Sequence, residues 1–102
     1  TYKTYEVRVY DNGNKYWYFN GKRHREDGPA VEYANGTKKW YLNGKVHRED
    51  GPAVDWVSGS KYWYLNGIEY TEADWKAELT PVKELSVKEI SDLLGYEVKV
   101  VK

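Results

Sequence analysis

The sequence predicts a mainly β protein: an antiparallel array of β-hairpin repeats in a single twisted sheet, followed by a small C-terminal α/β cap. Three observations predict it. The chain matches itself when shifted by 23 residues, as Trp17, Trp40 and Trp63 show. Short runs of alternating aromatic and polar residues lie between Asn-Gly pairs, the pattern of hairpin strands and tight turns. Beyond residue 70 the repeat stops and helix-start signals replace it.

The shift by 23 aligns more than tryptophan. Tyr18, Tyr41 and Tyr64 coincide, as do Asn20-Gly21, Asn43-Gly44 and Asn66-Gly67. The second turn pairs, Asn12-Gly13, Asn35-Gly36 and Ser58-Gly59, coincide as well. The octapeptide HREDGPAV occurs unchanged at His24–Val31 and His47–Val54. A fixed period of this length marks an array in which each unit covers its apolar face with its neighbour. The array spans 1–70, with units at about 12–34 and 35–57 and a partial unit at 58–70.

The opening segment YEVRVY (5–10) aligns with the second strand of a unit and reads as a degenerate first strand. Within a unit, TKKWYL runs into Asn-Gly, and alternation places Trp40 and Leu42 on one face with Lys39 and Tyr41 on the other. Trp17 with Phe19, and Trp63 with Leu65, repeat this arrangement. The tryptophans and their Phe/Leu neighbours are therefore expected to form the buried seam, with the tyrosines on the outer face. The third unit loses His-Arg-Glu-Asp-Gly-Pro, as a terminal unit facing solvent should. In the cap (71–102), Thr71 and Asp74 resemble a capping box opening a helix at about 72–78. Pro81 breaks the chain. Ser86 with Glu89, a Leu85/Ile90 staple and Gly95 then frame a second helix at about 87–94. YEVKVV at about 96–101 alternates like a last strand.

Composition removes several classes. Sixteen basic residues balance sixteen acidic ones, so neither nucleic acid nor an anionic membrane is an expected partner. Without cysteine there is no disulfide frame and no thiolate metal site. No apolar run reaches membrane-spanning length, and no signal-peptide pattern stands in the sequence, so a cytoplasmic setting is expected. Eleven Tyr and five Trp against one Phe and no Met make the apolar material rigid rings with polar edges. Such rings suit half-buried sheet faces and binding surfaces alike.

His-Arg-Glu-Asp has the composition of a reactive cluster, with His24 or His47 as base and Glu26 or Glu49 as its partner. Imidazole and carboxylates together can also hold a metal. A motif copied once per repeat nevertheless usually serves the repeat's geometry. Asp27-Gly28-Pro29 and Asp50-Gly51-Pro52 are turn chemistry. Scaffolding is the stronger reading for His24, Glu26, Asp27, Gly28 and Pro29, and for His47, Glu49, Asp50, Gly51 and Pro52. No catalytic residue, metal ligand or cofactor is expected. The candidate binding residues are Tyr16, Tyr18, Tyr41, Tyr62 and Tyr64, with Arg25 and Arg48 as cations beside them.

NGKRHREDGPAVEYANG resembles the 23-residue MORN repeat in Asn-Gly-Lys-x-His and in Tyr-x-Asn-Gly. Arg-Glu-Asp-Gly-Pro stands where that pattern has Gly. WYLNGKVHREDGPAV and the tail LSVKEISDLLGYEVKVVK resemble small bacteriophage and bacterial proteins. These likenesses cover about 12–102. They imply a non-enzymatic hairpin array that binds a host protein in the host cytoplasm, as a takeover factor or counter-defence inhibitor. The alternative is a binder that sequesters a nucleotide or glycan between rings and Arg25 or Arg48. GSKYWYLNG is similar to choline- and glucan-binding repeats, which lack the His-Arg-Glu-Asp-Gly-Pro insert and have a shorter period. SVKEISDLLGY is similar to the first helix of a helix-turn-helix, but EVKVVK follows where the recognition helix belongs. Open sheet edges leave homodimerisation through an edge as a further expectation.

Overall fold

The computed structural model describes residues 4–80. The second helix and the last strand expected at about 87–94 and 96–101 lie outside the described residues. The described chain runs β1 (Glu6–Val9), β2 (Lys15–Phe19), β3 (Lys22–Arg23), β4 (Val31–Glu32), β5 (Lys38–Lys39), β6 (Tyr41–Leu42), β7 (Lys45–Val46), β8 (Val54–Asp55), β9 (Lys61–Leu65), β10 (Ile68–Tyr70) and α1 (Glu72–Leu79). The sheet is open and antiparallel in the order β1-β2-β4-β5-β8-β9-β10, with β3 on β2. The described chain is mainly β with one short helix, the class that the alternation predicts.

One hairpin stands off the main ladder of the array. β6 and β7 form their own two-stranded ladder. The chain changes partners at Trp40, whose N–H bonds the Ala53 carbonyl while its own carbonyl accepts from His47. The first half of each long strand joins the neighbouring units. The second half turns back on itself through Asn-Gly. At Asn43-Gly44 both residues have positive φ (51° and 80°), as the tight I′ turn requires, and asparagine tolerates that region better than most side chains.

Register sets two unlike faces. On one, Lys15, Glu32, Lys38, Asp55 and Lys61 oppose one another in turn across five strands. Unlike charges directly opposite stabilise a sheet by about 0.2–1 kcal/mol per pair. The tryptophans share this face. On the other, Tyr16, Val31, Lys39, Val54 and Tyr62 oppose one another.

The tryptophan seam is not the core. Trp17, Trp40 and Trp63 are only half-buried, whereas Ala30, Val31 and Ala53 are fully covered and Val54, Leu65 and Trp75 nearly so. A single-layer array has no second sheet among the described residues to bury large rings. Only the small residues at the centre, hemmed in by strands on both sides, lose all contact with water. Adjacent units are also stitched along one margin. The Asn14 Oδ1 accepts from the Ala34 N–H at 2.9 Å, and one period later the fully buried Thr37 Oγ1 accepts from the Val57 N–H at 3.1 Å.

Helix α1 begins where the Thr71 hydroxyl accepts the Asp74 N–H. Glu72 and Asp74 complement the dipole of its first turn. Its buried face is Trp75, whose ring lies 6.5 Å from that of Trp63 and whose Nε1 donates to the Arg48 carbonyl at 2.8 Å.

Candidate functional site

The His-Arg-Glu-Asp-Gly-Pro loops are internal clamps. The Arg25 Cζ stands 4.1 Å from the centre of the Trp17 ring, and that of Arg48 stands 3.7 Å from Trp40. The Arg25 Nε donates to Asp27 at 3.0 Å and its Nη1 to the Pro29 carbonyl at 3.1 Å. Arg48 repeats both bonds with Asp50 and Pro52 at 2.7 and 3.0 Å. A Cβ on Gly28 or Gly51 would fall 2.9 or 2.8 Å from the respective Cζ. Each glycine is thus the roof of a slot that holds a guanidinium against an indole.

The histidines reach forward by one unit. The His24 Nδ1 accepts the Asn43 N–H at 2.9 Å, and the His47 Nδ1 accepts the Asn66 N–H at 3.0 Å. The proton of the neutral ring therefore sits on Nε2, 3.4 Å from Glu26 or Glu49. Backbone bonds accompany each histidine: Arg25 N–H to Tyr41, Gly44 N–H to Arg23, Arg48 N–H to Tyr64 and Gly67 N–H to Val46. A general base needs a free lone pair, and here that lone pair is spent on the next turn. Among the described residues, no three His, Asp or Glu side chains are placed to hold one metal ion.

The structure separates the candidate binding residues. Arg25 and Arg48 lie on the tryptophan face, while Tyr16, Tyr18, Tyr41, Tyr62 and Tyr64 lie on the other. The tyrosines are not a bare row. Tyr62 is 41% exposed and the other four are half-buried. Among the described residues three cations overlie the rings of this face, and composition gave no sign of them. The Arg8 Cζ is 4.7 Å from the Tyr18 centroid, and the Arg23 Cζ is 5.2 and 5.6 Å from Tyr16 and Tyr41. The Lys39 Nζ sits 5.4 and 5.3 Å from Tyr33 and Trp56. The pairings run between strands, six to eighteen residues apart, so strand register was the missing signal. Burial disfavours the charge on Arg23, but hydrogen bonds with the Tyr18 and Tyr41 side chains outweigh it and raise its pKa. Burial first, then the negative charge of Glu69, pushes the Tyr64 hydroxyl above the usual tyrosine range.

The two faces also differ in their grooves. On the tryptophan face, a groove between the loops has Trp40 and Leu42 as its floor and Glu26, Asp27, Glu49 and Asp50 among its walls. On the tyrosine face, one groove is bounded by Tyr16, Tyr18 and Arg23, and another of about 380 Å3 by Lys39, Val46, Val54, Trp56 and Tyr62. Neither of these two is lined by a carboxylate. Comparison of the chain with family models, curated proteins and solved structures gives no match in any of the three. Among the described residues, no helix is long and apolar enough to cross a membrane.

Proposed function

We propose that this chain is a non-enzymatic binding protein whose recognition surface is the tyrosine face. One observation carries the reading. Both His-Arg-Glu-Asp clusters direct their hydrogen-bonding groups to their own loop or the next unit, while the opposite face presents fixed aromatic rings beside two open grooves. Rings held in place contribute contact area at little cost in entropy, as protein-binding hot spots require. The partner proposed from the resemblance to phage proteins is a bacterial host protein, bound in a takeover or counter-defence role.

The small-ligand alternative needs Arg25 and Arg48 free to meet an anion. Both guanidinium groups are engaged by an aspartate, a proline carbonyl and an indole, so nothing in the site favours it. Affinity capture from bacterial lysate tests the reading, with wild-type protein run beside Tyr62→Ala. A host protein retained by the wild type and lost by the variant supports it. Equal retention by both, or none by either, refutes it.

A further inference from the structure

The array carries an internal control, because each position can be compared with its equivalents 23 residues away. On the tryptophan face the equivalents inside the full units agree: Lys15, Lys38 and Lys61; Trp17, Trp40 and Trp63; Arg25 and Arg48; Glu32 and Asp55; only the terminal segments depart, with Val9 at the place of Glu32 and Thr71 at the place of Arg48. These are the residues of the charge ladder and the loop clamps. On the tyrosine face the Tyr18 column is constant, but its neighbours are not. Tyr16 becomes Lys39 and then Tyr62. Arg23 becomes Val46 and then Glu69. Arg8 becomes Val31 and then Val54. What the fold needs is repeated, so residues that occur once among equivalents are free to serve something else. The singular cations Arg8, Arg23 and Lys39 all lie on one face, and among the described residues they are the three that overlie aromatic rings there.

Their placement defines the chemistry of an occupant. Arg23 lies between the rings of the first and second units. Beyond it comes the apolar groove of Val46, Val54 and Trp56, with Lys39 beside the indole. At the last equivalent position the charge reverses to Glu69. Cations already occupy ring faces of Tyr16, Tyr18, Tyr33, Tyr41 and Trp56, so nucleobases have little open ring face on which to stack. The open features are N–H donors with a net positive charge next to an apolar slot.

Resting on the protein-binding reading above, we infer that the tyrosine face docks an acidic segment of its partner protein. Carboxylates of that segment meet Arg23 and Lys39, and an aliphatic or aromatic side chain fills the groove between Val46 and Trp56. Guanidinium suits this role because its planar fork pairs with carboxylate in two parallel bonds.

The test is selection of a displayed library of random short peptides on the full chain. Affinities of the enriched peptides are then measured by fluorescence anisotropy. Enriched sequences should pair Asp or Glu with a nearby Leu, Ile, Phe or Trp. Arg23→Glu or Lys39→Glu should weaken them by at least about tenfold. Arg23→Lys, which keeps the charge but loses the fork, should weaken them less than Arg23→Glu does, and Lys22→Glu, a like change of charge at a hairpin tip outside this face, should leave the affinity unchanged. Enriched peptides that are basic or uncharged, or that ignore Arg23→Glu, overturn the inference while leaving a protein-binding role intact. No enrichment overturns it also, and the capture experiment then decides separately whether the broader reading stands. Tight binding of oligothymidylate with no enriched peptide overturns both.

Discussion

Replacing Gly51 with alanine tests the slot that holds each arginine. The φ of Gly51 lies outside the left-handed region, so alanine meets no backbone penalty there. Its Cβ would instead fall 2.8 Å from the Arg48 Cζ and 3.0 Å from Nη1, and the guanidinium must leave. Three contacts go with it. The bond to the Pro52 carbonyl, charge-assisted and half-buried, contributes about 1.5 kcal/mol. Stacking on Trp40 adds about 0.5–1 kcal/mol. The pair with Asp50 adds little, since that carboxylate is 84% exposed. Alanine returns about 0.4–1 kcal/mol by restricting the unfolded chain. The net loss is about 1–2 kcal/mol, a fall in Tm of several degrees for a chain of this size.

The sign should reverse when the guanidinium is removed first. In an Arg48→Met background the slot is vacant of charge and the methionine can bend away. Gly51→Ala should then stabilise by the unfolded-state contribution alone, about 0.4–1 kcal/mol. Urea unfolding followed by tryptophan fluorescence measures all four proteins of the cycle. Equal destabilisation by Gly51→Ala in both backgrounds would refute the slot and place the need for glycine in the backbone.

Thr37→Val keeps the shape of a fully buried side chain but orphans the Val57 N–H, and should cost about 1–3 kcal/mol. Hydrogen exchange at the Val57 amide should accelerate with it, and an unchanged rate would show that the hydroxyl is not the acceptor in solution. Trp75→Ala removes the ring that covers Trp63 and should cost about 3–5 kcal/mol, with loss of the α1 signal in circular dichroism. Tyr64 gives a pH dependence: its folded pKa is raised, so the native state holds the proton where the unfolded chain has released it. Its contribution is complete below the unfolded value of about 10 and is lost as pH rises through the folded value. The stability of Tyr64→Phe relative to wild type should therefore rise above pH of about 10, and parallel curves would contradict the assignment.

The fold class was legible because its signals are local. A strand writes its alternation into consecutive residues, and Asn-Gly announces its turn wherever it stands. The burial pattern was not, since alternation tells which residues share a face but not whether anything covers that face. Trp17 and Trp40 looked like core for that reason, and an arginine from the following loop covers each instead. The role of histidine was hidden by sequence distance: its partner N–H is 19 residues ahead, in another unit. One signal was present and unused. Shifted by 23, Pro52 falls on Trp75, so the terminal unit exchanges a loop that clamps an arginine for a helix that brings its own indole to the same face.

If units are held by equivalent contacts, the array should accept another. Inserting a second copy of residues 35–57 after Val57 restores every junction, because the period is the same on both sides of the insertion point. The new unit supplies its own arginine slot, a histidine for the Asn N–H ahead and a Thr37 hydroxyl for the Val57 N–H ahead. Stability in such arrays is the sum of unit and interface contributions, and an added interior unit brings one more interface of the native kind. Unfolding should stay cooperative at a higher urea midpoint, and the m-value should rise by about a fifth, in proportion to chain length. An unchanged m-value with rapid proteolysis inside the insert would mean that the copy loops out. The clamps would then be specific to their present places, and repetition would be a record of the gene rather than a rule of assembly.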